Sequence, residues 1–337
     1  MKNLFVSTLV ATTLASVALA APPTPTFVKN INVGTAIQAP VDVIAVAGDL
    51  YVVGFNDKKV AKVTTPVGTE AVSLFTDVSA ATTWGSGRGP QAIIYDNGEF
   101  YVTGDNGTDG FIGVYGPAGA ELRKADLAGV RIVAAAPLDS DSLVVGKSNA
   151  STLNSIKKSD LSVETDVSGL PNTGWRAPIR KIYVDSSGVI FYANSHTTAA
   201  PAGHKVGKAT PGTPPATLAQ YTFVDWYAPN ESQGSPATLG IAPFDRGTES
   251  WILFTNSGGF GGANPSIDFI NKSTGTRDLK FEDTTNFNGN IRGVVTANIG
   301  GTDYMFVANS ASPNTTSPNE VHVYSLGSAS VADWTIY

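Results

Sequence analysis

One position near the start of six recurring apolar runs carries side chains that could bind a charged ligand. The residues aligned there are Asp42, Gln91, Arg131, Arg180, Leu239 and Arg292. If this position faces a common cavity, three guanidinium groups meet there with one carboxylate, which is unfavourable unless an anion lies between the cations. The alternative is that each arginine pairs with a neighbouring carbonyl or carboxylate and fixes the packing of the strands. On the first interpretation, the sequence predicts an anion-binding site.

Asparagine and aspartate recur at a second position, directly after the second apolar run of each repeat. The residues are Asn56, Asp57, Asp105, Asn106, Asn149, Asn194, Asn256 and Asn309. Such side chains close turns through local hydrogen bonds and tolerate left-handed backbone, which is the interpretation that the residue types favour. The functional alternative is a polar ring for a sugar or for Ca²⁺, although amide oxygens without several carboxylates bind Ca²⁺ weakly.

Aromatic and basic residues lie in the segments next to these positions. Trp84, Trp175 and Trp226 each precede the first run of a repeat, where they either stack on a sugar or peptide ligand or pack between repeats. Arg88 also precedes the first apolar run of its repeat, and His196 comes shortly after the second apolar run of the repeat at residues 179–194. A solvated loop is the ordinary setting for such a histidine, since catalysis would need a nucleophile or an acid beside it. No Ser-His-Asp order or nucleophile elbow is present, so no catalytic residue is predicted.

The elements that would position these residues are six pairs of short apolar runs, each pair joined by a tight turn. The pairs cover residues 41–53, 92–103, 130–145, 179–194, 239–256 and 291–309. A strand-rich repeat of about 40–60 residues is typical of a β-propeller. We therefore predict an all-β, six-bladed β-propeller of four-stranded antiparallel blades, with seven blades as the alternative. Residues 26–33 and 331–336 are rival candidates for the strand that closes the ring.

These repeats resemble those of six-bladed propellers of the NHL-repeat type and of the senescence-marker and gluconolactonase superfamily. The shared pattern is Pro-x-x-apolar-x-apolar, then Gly-x-apolar-Tyr-Val and an Asx, seen best in residues 40–53 and 90–106. The resemblance implies blades around a water-filled tunnel, with sites on the face formed by the loops before the first strand and after the second. Gluconolactonase-like members bind a divalent cation there through a Glu-Gly-Pro segment, whereas this chain has Arg88-Gly89-Pro90. The arginine argues against lactonase activity, and no catalytic residue is carried over.

The first twenty residues have the composition of an export signal. Lys2 precedes an apolar stretch, and Ala18-Leu19-Ala20 supplies the small residues that a signal peptidase accepts. We predict a signal peptide over residues 1–20 and a single propeller domain over residues 21–337, in a secreted or periplasmic protein. The 337 residues include no cysteine, which excludes disulfides and thiolate metal sites and favours a bacterial source.

The charge pattern narrows the function further. The net charge is −6, only 15% of the residues are charged, and the cations are scattered, which argues against nucleic-acid binding. No stretch after the signal approaches the ~20 apolar residues of a membrane span. The prediction is a propeller that binds a small anionic or carbohydrate ligand, or a protein partner, at its loop face, with no assigned catalysis or cofactor. A cation-dependent lactonase-like hydrolase and a structural component of the cell surface are the alternatives.

Overall fold

The protein is built from six four-stranded antiparallel sheets. The computed structural model describes residues 21–148, 150, 152–167, 179–194, 206–212, 217–227, 237–257, 264–287, 290–310 and 319–328. Within these residues, 24 strands and one short 3-10 turn (Leu218–Gln220) are present. The predicted all-β, six-bladed architecture is confirmed, and the seven-bladed alternative does not apply.

Blades 1 to 3 each use four consecutive strands. Blade 1 contains β2 (Pro40–Val46), β3 (Asp49–Gly54), β4 (Lys59–Thr64) and β5 (Ala71–Asp77). Blade 2 contains β6 (Gly89–Asp96), β7 (Glu99–Asp105), β8 (Gly110–Tyr115) and β9 (Glu121–Leu127). Blade 3 contains β10 (Ile132–Pro137), β11 (Ser142–Lys147), β12 (Leu153–Lys157) and β13 (Val163–Val167).

Blades 4 and 5 repeat this order, and blade 6 joins the two ends of the chain. Blade 4 contains β14 (Ile179–Val184), β15 (Ile190–Asn194), β16 (Val206–Thr210) and β17 (Thr222–Tyr227). Blade 5 contains β18 (Ala237–Arg246), β19 (Glu249–Ser257), β20 (Ser266–Asn271) and β21 (Arg277–Glu282). Blade 6 contains β22 (Asn290–Ile299), β23 (Thr302–Ser310), β24 (Asn319–Ser328) and, as its outermost strand, β1 (Thr26–Asn32).

The ring is closed by β1, which pairs antiparallel with β24. The other candidate for closure, residues 331–336, lies outside the described residues, as does the predicted signal peptide over residues 1–20. With β1 the last blade has four strands like the others, and the first strand of the chain joins its two ends in one sheet.

The hydrophobic core lies between the blades. Six clusters of buried apolar residues are present, one at each contact between neighbouring blades. The first strands of neighbouring blades contact one another all the way round, so they form the innermost ring. In blade 2, Phe100, Tyr101 and Val102 are all buried because both faces of the inner strands are covered, whereas β9 alternates exposed and covered residues. No helix in the described part of the chain is long and apolar enough to cross a membrane.

Candidate functional site

Each innermost strand carries a β-bulge close to its first residue. In blade 4, Ile179 pairs with Asn194 and Lys181 pairs with Ala193, which leaves Arg180 as the extra residue. A shift of this kind occurs in all six blades. The residues at the bulge are Val41, Gln91, Val133, Arg180 and Leu239 in blades 1 to 5, and Arg292 with Gly293 in blade 6. A bulge interrupts the ladder and redirects a side chain, and bulges are frequent beside functional sites.

The bulges change the alignment that the sequence suggested. Gln91, Arg180 and Arg292 share the bulge position, as expected. Asp42 lies one residue beyond the bulge of its strand, and Arg131 lies two residues before the bulge of blade 3. Because one inserted residue exchanges the faces of a strand, equal spacing in the sequence did not reveal these offsets.

Asp105, the last residue of β7, is the centre of a cluster on the loop face, which is the side where the innermost strands start. Its two carboxylate oxygens accept hydrogen bonds from Arg131 Nε and Nη2 at 2.9 and 2.6 Å, and from Arg88 Nη1 at 3.0 Å. The Ser148 hydroxyl and the backbone N–H of Gly107 donate to the same carboxylate, each at 2.8 Å. Burial raises the pKa of Asp105, but the hydrogen bonds outweigh burial and hold this pKa below its usual range. Asp105 is therefore fully ionised and its oxygens are already occupied.

Two further arginines, Arg180 and Arg292, interact electrostatically with this cluster. Burial lowers the pKa of Arg180 to about 10; Asp105 opposes this shift and Arg88 adds to it. Burial and the neighbouring charge of Arg180 lower the pKa of Arg292 to about 9. Both residues are nevertheless partly exposed, as expected of side chains that border a central channel.

We name these five residues, Arg88, Asp105, Arg131, Arg180 and Arg292, the mouth cluster. Four guanidinium groups and one carboxylate give it a strong excess of positive charge. The Nε atom of Arg292 is buried and has no hydrogen-bond partner among the described residues. The part of the sequence outside the described residues contains two carboxylates, Glu231 and Asp333. The mouth cluster can therefore accept an anion, with guanidinium groups as charge-assisted donors.

Asp42 lies below the mouth cluster and is engaged in another contact. Its carboxylate accepts hydrogen bonds from Lys181 Nζ at 2.5 and 2.6 Å and from the backbone N–H of Ile93 at 3.0 Å. Lys181 was not predicted as a site residue, and neither was Ser148. The sequence feature that could have identified Lys181 is its position as a charged residue inside the apolar run that forms an innermost strand.

The second recurring position serves turns and packing where its side chains are described. Asn106 Oδ1 accepts hydrogen bonds from the backbone N–H groups of Thr108 and Asp109 at 3.1 and 2.7 Å, as the turn-closing interpretation predicts. Asn256 and Asn309 are buried. Asn194 ends β15, and its side chain, like all of Asn149, lies outside the described residues.

Of the three tryptophans predicted as site residues, the structure describes Trp84 and Trp226, and both pack against other aromatic rings. Trp84 Nε1 donates to the Val78 carbonyl at 2.9 Å, and its ring meets the edge of Phe111 with centroids 5.3 Å apart. Trp226 belongs to the outermost strand β17, and its ring meets Phe191 at 4.9 Å. These contacts match the packing interpretation. Trp175 and His196 lie outside the described residues.

The acids and histidines of the described residues form no group of three or more that could hold a metal ion. The chain matches no family model and no curated protein. Solved structures do match. The aldose sugar dehydrogenase of Streptomyces coelicolor, in its PQQ-bound form, is 14% identical, with a TM-score of 0.52, over 90% of this chain and 99% of that one.

Two further matches have the same general architecture. The major allergen Mala s 1 of Malassezia sympodialis is 12% identical, with a TM-score of 0.59, over 88% of this chain and 95% of the allergen. A protein of unknown function from Bacteroides thetaiotaomicron is 12% identical, with a TM-score of 0.52, over 89% of this chain and 73% of that one. At these identities the likeness concerns the propeller fold and carries no function.

Proposed function

We propose that this protein is a ligand-binding propeller that takes a small anion in the mouth cluster on its loop face. The observation that carries the proposal is the buried Nε atom of Arg292, which has no hydrogen-bond partner among the described residues, in a cluster whose carboxylate, Asp105, is already shared by Arg88 and Arg131. Asp42 does not offset this charge, because Lys181 neutralises it.

The physical chemistry of the site favours a carboxylate, phosphate or sulfate group over a neutral ligand. A guanidinium group presents several donors in a plane, which match two oxygens of an oxyanion. Away from bulk water, attraction between such groups is stronger than at an open surface. An anion between Arg180 and Arg292 would also remove their mutual repulsion. Binding of an anion is therefore favoured by the loss of this repulsion as well as by its direct contacts.

The proposal includes what the first residues of the chain suggest. We place the protein outside the cytoplasm, in a secreted or periplasmic location, after removal of residues 1–20. Mass spectrometry of material recovered from culture medium or envelope should give a chain that starts at Ala21; an intact Met1–Ala20 segment would contradict export. Kinship with the NHL-repeat and gluconolactonase propellers is part of the same hypothesis, and so is a protein partner that presents an anionic group to this face.

The test is binding of simple anions in low-salt buffer. Acetate, phosphate and sulfate are titrated into the protein while the unfolding temperature and the heat of binding are followed. A specific anion should stabilise the protein increasingly with concentration, by about 2.7 kcal/mol at one hundred times its Kd. Arg292→Gln should abolish this response.

The matched control is Arg123→Gln. Arg123 lies in β9 and is held by Glu99 at 2.7 and 2.8 Å, away from the mouth cluster. This variant should bind the anion as the wild type does. The proposal fails if no anion stabilises the wild type, or if Arg292→Gln keeps the wild-type response.

A further inference from the structure

A cleft lies between blades 2 and 3 on the face of the ring where the innermost strands end, and we name it the turn-face cleft. The turn after β6 borders it from blade 2, and the turns after β10 and β12 border it from blade 3. Its volume is about 470 Å³, within the ~300–1,000 Å³ of small-molecule sites. The mouth cluster belongs to the opposite face, where the innermost strands start, so the two sites are separate.

The described residues that line the turn-face cleft all have polar side chains. Four are acids, three are bases, and the other four carry a hydroxyl or an amide group. Most small-molecule sites are instead largely apolar, with a few polar groups. A ligand without hydrogen-bonding groups would displace water from this lining and leave its polar groups unpaired, which is costly. The lining therefore requires a ligand with donors and acceptors over most of its surface.

Two bases of the lining are already paired with two of its acids. Arg123 Nη1 and Nη2 donate to the two carboxylate oxygens of Glu99 at 2.8 and 2.7 Å. This contact holds the pKa of Glu99 below its usual range, so the carboxylate is ionised. Lys158 Nζ forms an ion pair with Asp96 at 2.7 Å, and the Lys158 side chain is only 9% exposed. A charged ligand would compete with these internal pairs, whereas a neutral ligand leaves them intact.

The remaining charged residues of the lining give little preference for a charged ligand. Asp141, Lys157 and Glu164 are exposed, so solvent screens their charges. The Glu164 carboxylate also accepts hydrogen bonds from the hydroxyls of Ser142 and Ser155, at 2.8 and 2.9 Å. With four acids and three bases, the lining is close to neutral.

The paired groups keep hydrogen-bonding capacity for a ligand. Arg123 Nη1 has two hydrogens and donates one of them to Glu99, and the carboxylates of Glu99 and Asp96 each have about four acceptor sites. The hydroxyls of Ser140 and Ser159, on exposed turns of blade 3, can both donate and accept. Hydroxyl groups of a ligand are also donor and acceptor at once, so they suit every position of this lining.

We propose that the turn-face cleft binds a neutral carbohydrate of one or two sugar rings. A sugar carries hydroxyl groups around its whole ring and has no charge that would disturb the ion pairs. An aromatic ligand is disfavoured, because the Tyr101 ring is 2% exposed and the Arg123 guanidinium lies over it at 5.9 Å. The inference is independent of the anion site, since it concerns other residues at the other end of the strands.

The experiment measures sugar binding by ligand-observed NMR and by calorimetry. The neutral probes are glucose, galactose, mannose, maltose and lactose, and the charged comparators are the amino sugar and the uronic acid of each monosaccharide. The best neutral monosaccharide should bind about tenfold more tightly than its own charged derivatives, the order of cost of disturbing one charged hydrogen bond. Repeating the series on Arg292→Gln separates any uronic acid that binds in the mouth cluster. The inference is wrong if no neutral sugar binds, or if a charged derivative still binds best in Arg292→Gln.

Ser159→Trp tests whether a bound sugar occupies the cleft. The indole would fill space beside an exposed turn without removing any of the paired groups. The matched control is Ser73→Trp, at an exposed serine of β5 in blade 1, outside the cleft. Sugar affinity should fall by at least about tenfold in Ser159→Trp and stay at the wild-type value in Ser73→Trp. Wild-type sugar affinity in folded Ser159→Trp overturns the inference; if this variant does not fold, Ser140→Trp on the neighbouring turn decides in the same way.

Hydrogen exchange locates the sugar without any substitution. With saturating sugar, peptides covering residues 138–142 and 156–160 should exchange more slowly, whereas phosphate should leave them unchanged. Protection by sugar elsewhere, and not in these peptides, contradicts the assignment. The two proposals fail separately: sugar binding without any anion response leaves the turn-face cleft standing alone, and the reverse result leaves only the anion site.

Discussion

Replacing Arg292 or Arg131 of the mouth cluster with glutamine should change the stability of the protein in opposite directions. Arg292→Gln removes a charge that burial and Arg180 disfavour, whereas Arg131→Gln removes the principal partner of Asp105. In buffer without a binding anion, we expect Arg292→Gln to unfold at a higher temperature than the wild type and Arg131→Gln at a lower one.

The magnitude follows from the pKa of Arg292. Its folded-state value of about 9 lies well below the ordinary pKa of an arginine, so the protonated side chain is less stable in the folded protein than in the unfolded chain. Near pH 7 both states carry the proton, and the whole penalty is present; it declines only as the pH rises above about 9. The upper value is about 5 kcal/mol. The partial exposure of Arg292 reduces this value, and replacement of buried ion pairs by neutral groups is often neutral or stabilising by about 1–4 kcal/mol.

The opposite sign is expected at Arg131 because its guanidinium donates two hydrogen bonds to a buried carboxylate. The hydrogen bond to Asp105 raises the pKa of Arg131, so the charged form is favoured by folding. Loss of one partner of such a pair costs about 3–5 kcal/mol, reduced here because Arg88 and Ser148 still bind Asp105.

Differential scanning calorimetry at pH 7 in low salt measures both effects. With about 2 °C for each kcal/mol, Arg292→Gln should gain roughly 2–8 °C, and Arg131→Gln should lose several degrees. Circular dichroism shows whether both variants keep the wild-type fold. A lower unfolding temperature for Arg292→Gln would mean that Arg292 supports blade packing, and the reasoning about excess charge would be refuted.

Three further predictions concern the cluster and the ring. Because the pKa of Asp105 is lowered in the folded state, its contribution to stability is complete above pH 3.8 and is lost as the pH falls below that value; urea unfolding from about pH 5 to 2 should show a shallower decline for Asp105→Asn. Gly240→Ala should destabilise the protein by about 3 kcal/mol, because the added Cβ atom would lie 2.2 Å from the carbonyl oxygen of Arg292. Gly68→Ala is the control, since its nearest contact is at 3.8 Å and its stability should not change. Equal thermal stability of the two variants would contradict this prediction. In the closing strand, Ile31→Ala should lower the free energy of unfolding by about 2–5 kcal/mol, because Ile31 is buried. Val28→Ala in the same strand should lower it by less than about 0.5 kcal/mol, because Val28 is 42% exposed. Denaturant midpoints measure both effects, and a small effect at Ile31 would mean that the closing strand contributes little to stability.

Much of the fold could be predicted from the sequence because each blade has its own local signals. Asn97 and Gly98 both adopt positive φ in the turn between β6 and β7, as a two-residue hairpin requires, and buried runs flank the turn. The recurrence of such units predicts a propeller. The choice of the closing strand could not be predicted, since pairing of β1 with β24 depends on residues almost a full chain apart.

The site was less accessible from the sequence, for a geometric reason. A bulge adds one residue without a change in residue type, so Asp42 and Arg131 appeared equivalent to Arg180 and are not. The convergence of guanidinium groups could be anticipated from composition and spacing. The contact between Asp42 and Lys181 could not, because it joins opposite blades and depends on the diameter of the ring.

The pairing of β1 with β24 has a consequence for biosynthesis. Residues 26–32 leave the ribosome early, but their partner, residues 319–328, is made almost three hundred residues later. At about 5–20 residues per second, the first strand waits roughly 15–60 s for its partner. During that interval the nascent chain has an unpaired strand at each growing stage, and the last blade cannot nucleate the others. A ribosome-bound chain should therefore stay sensitive to proteases and dependent on chaperones until its last strand emerges. A prematurely terminated chain lacks β24 and cannot close the ring.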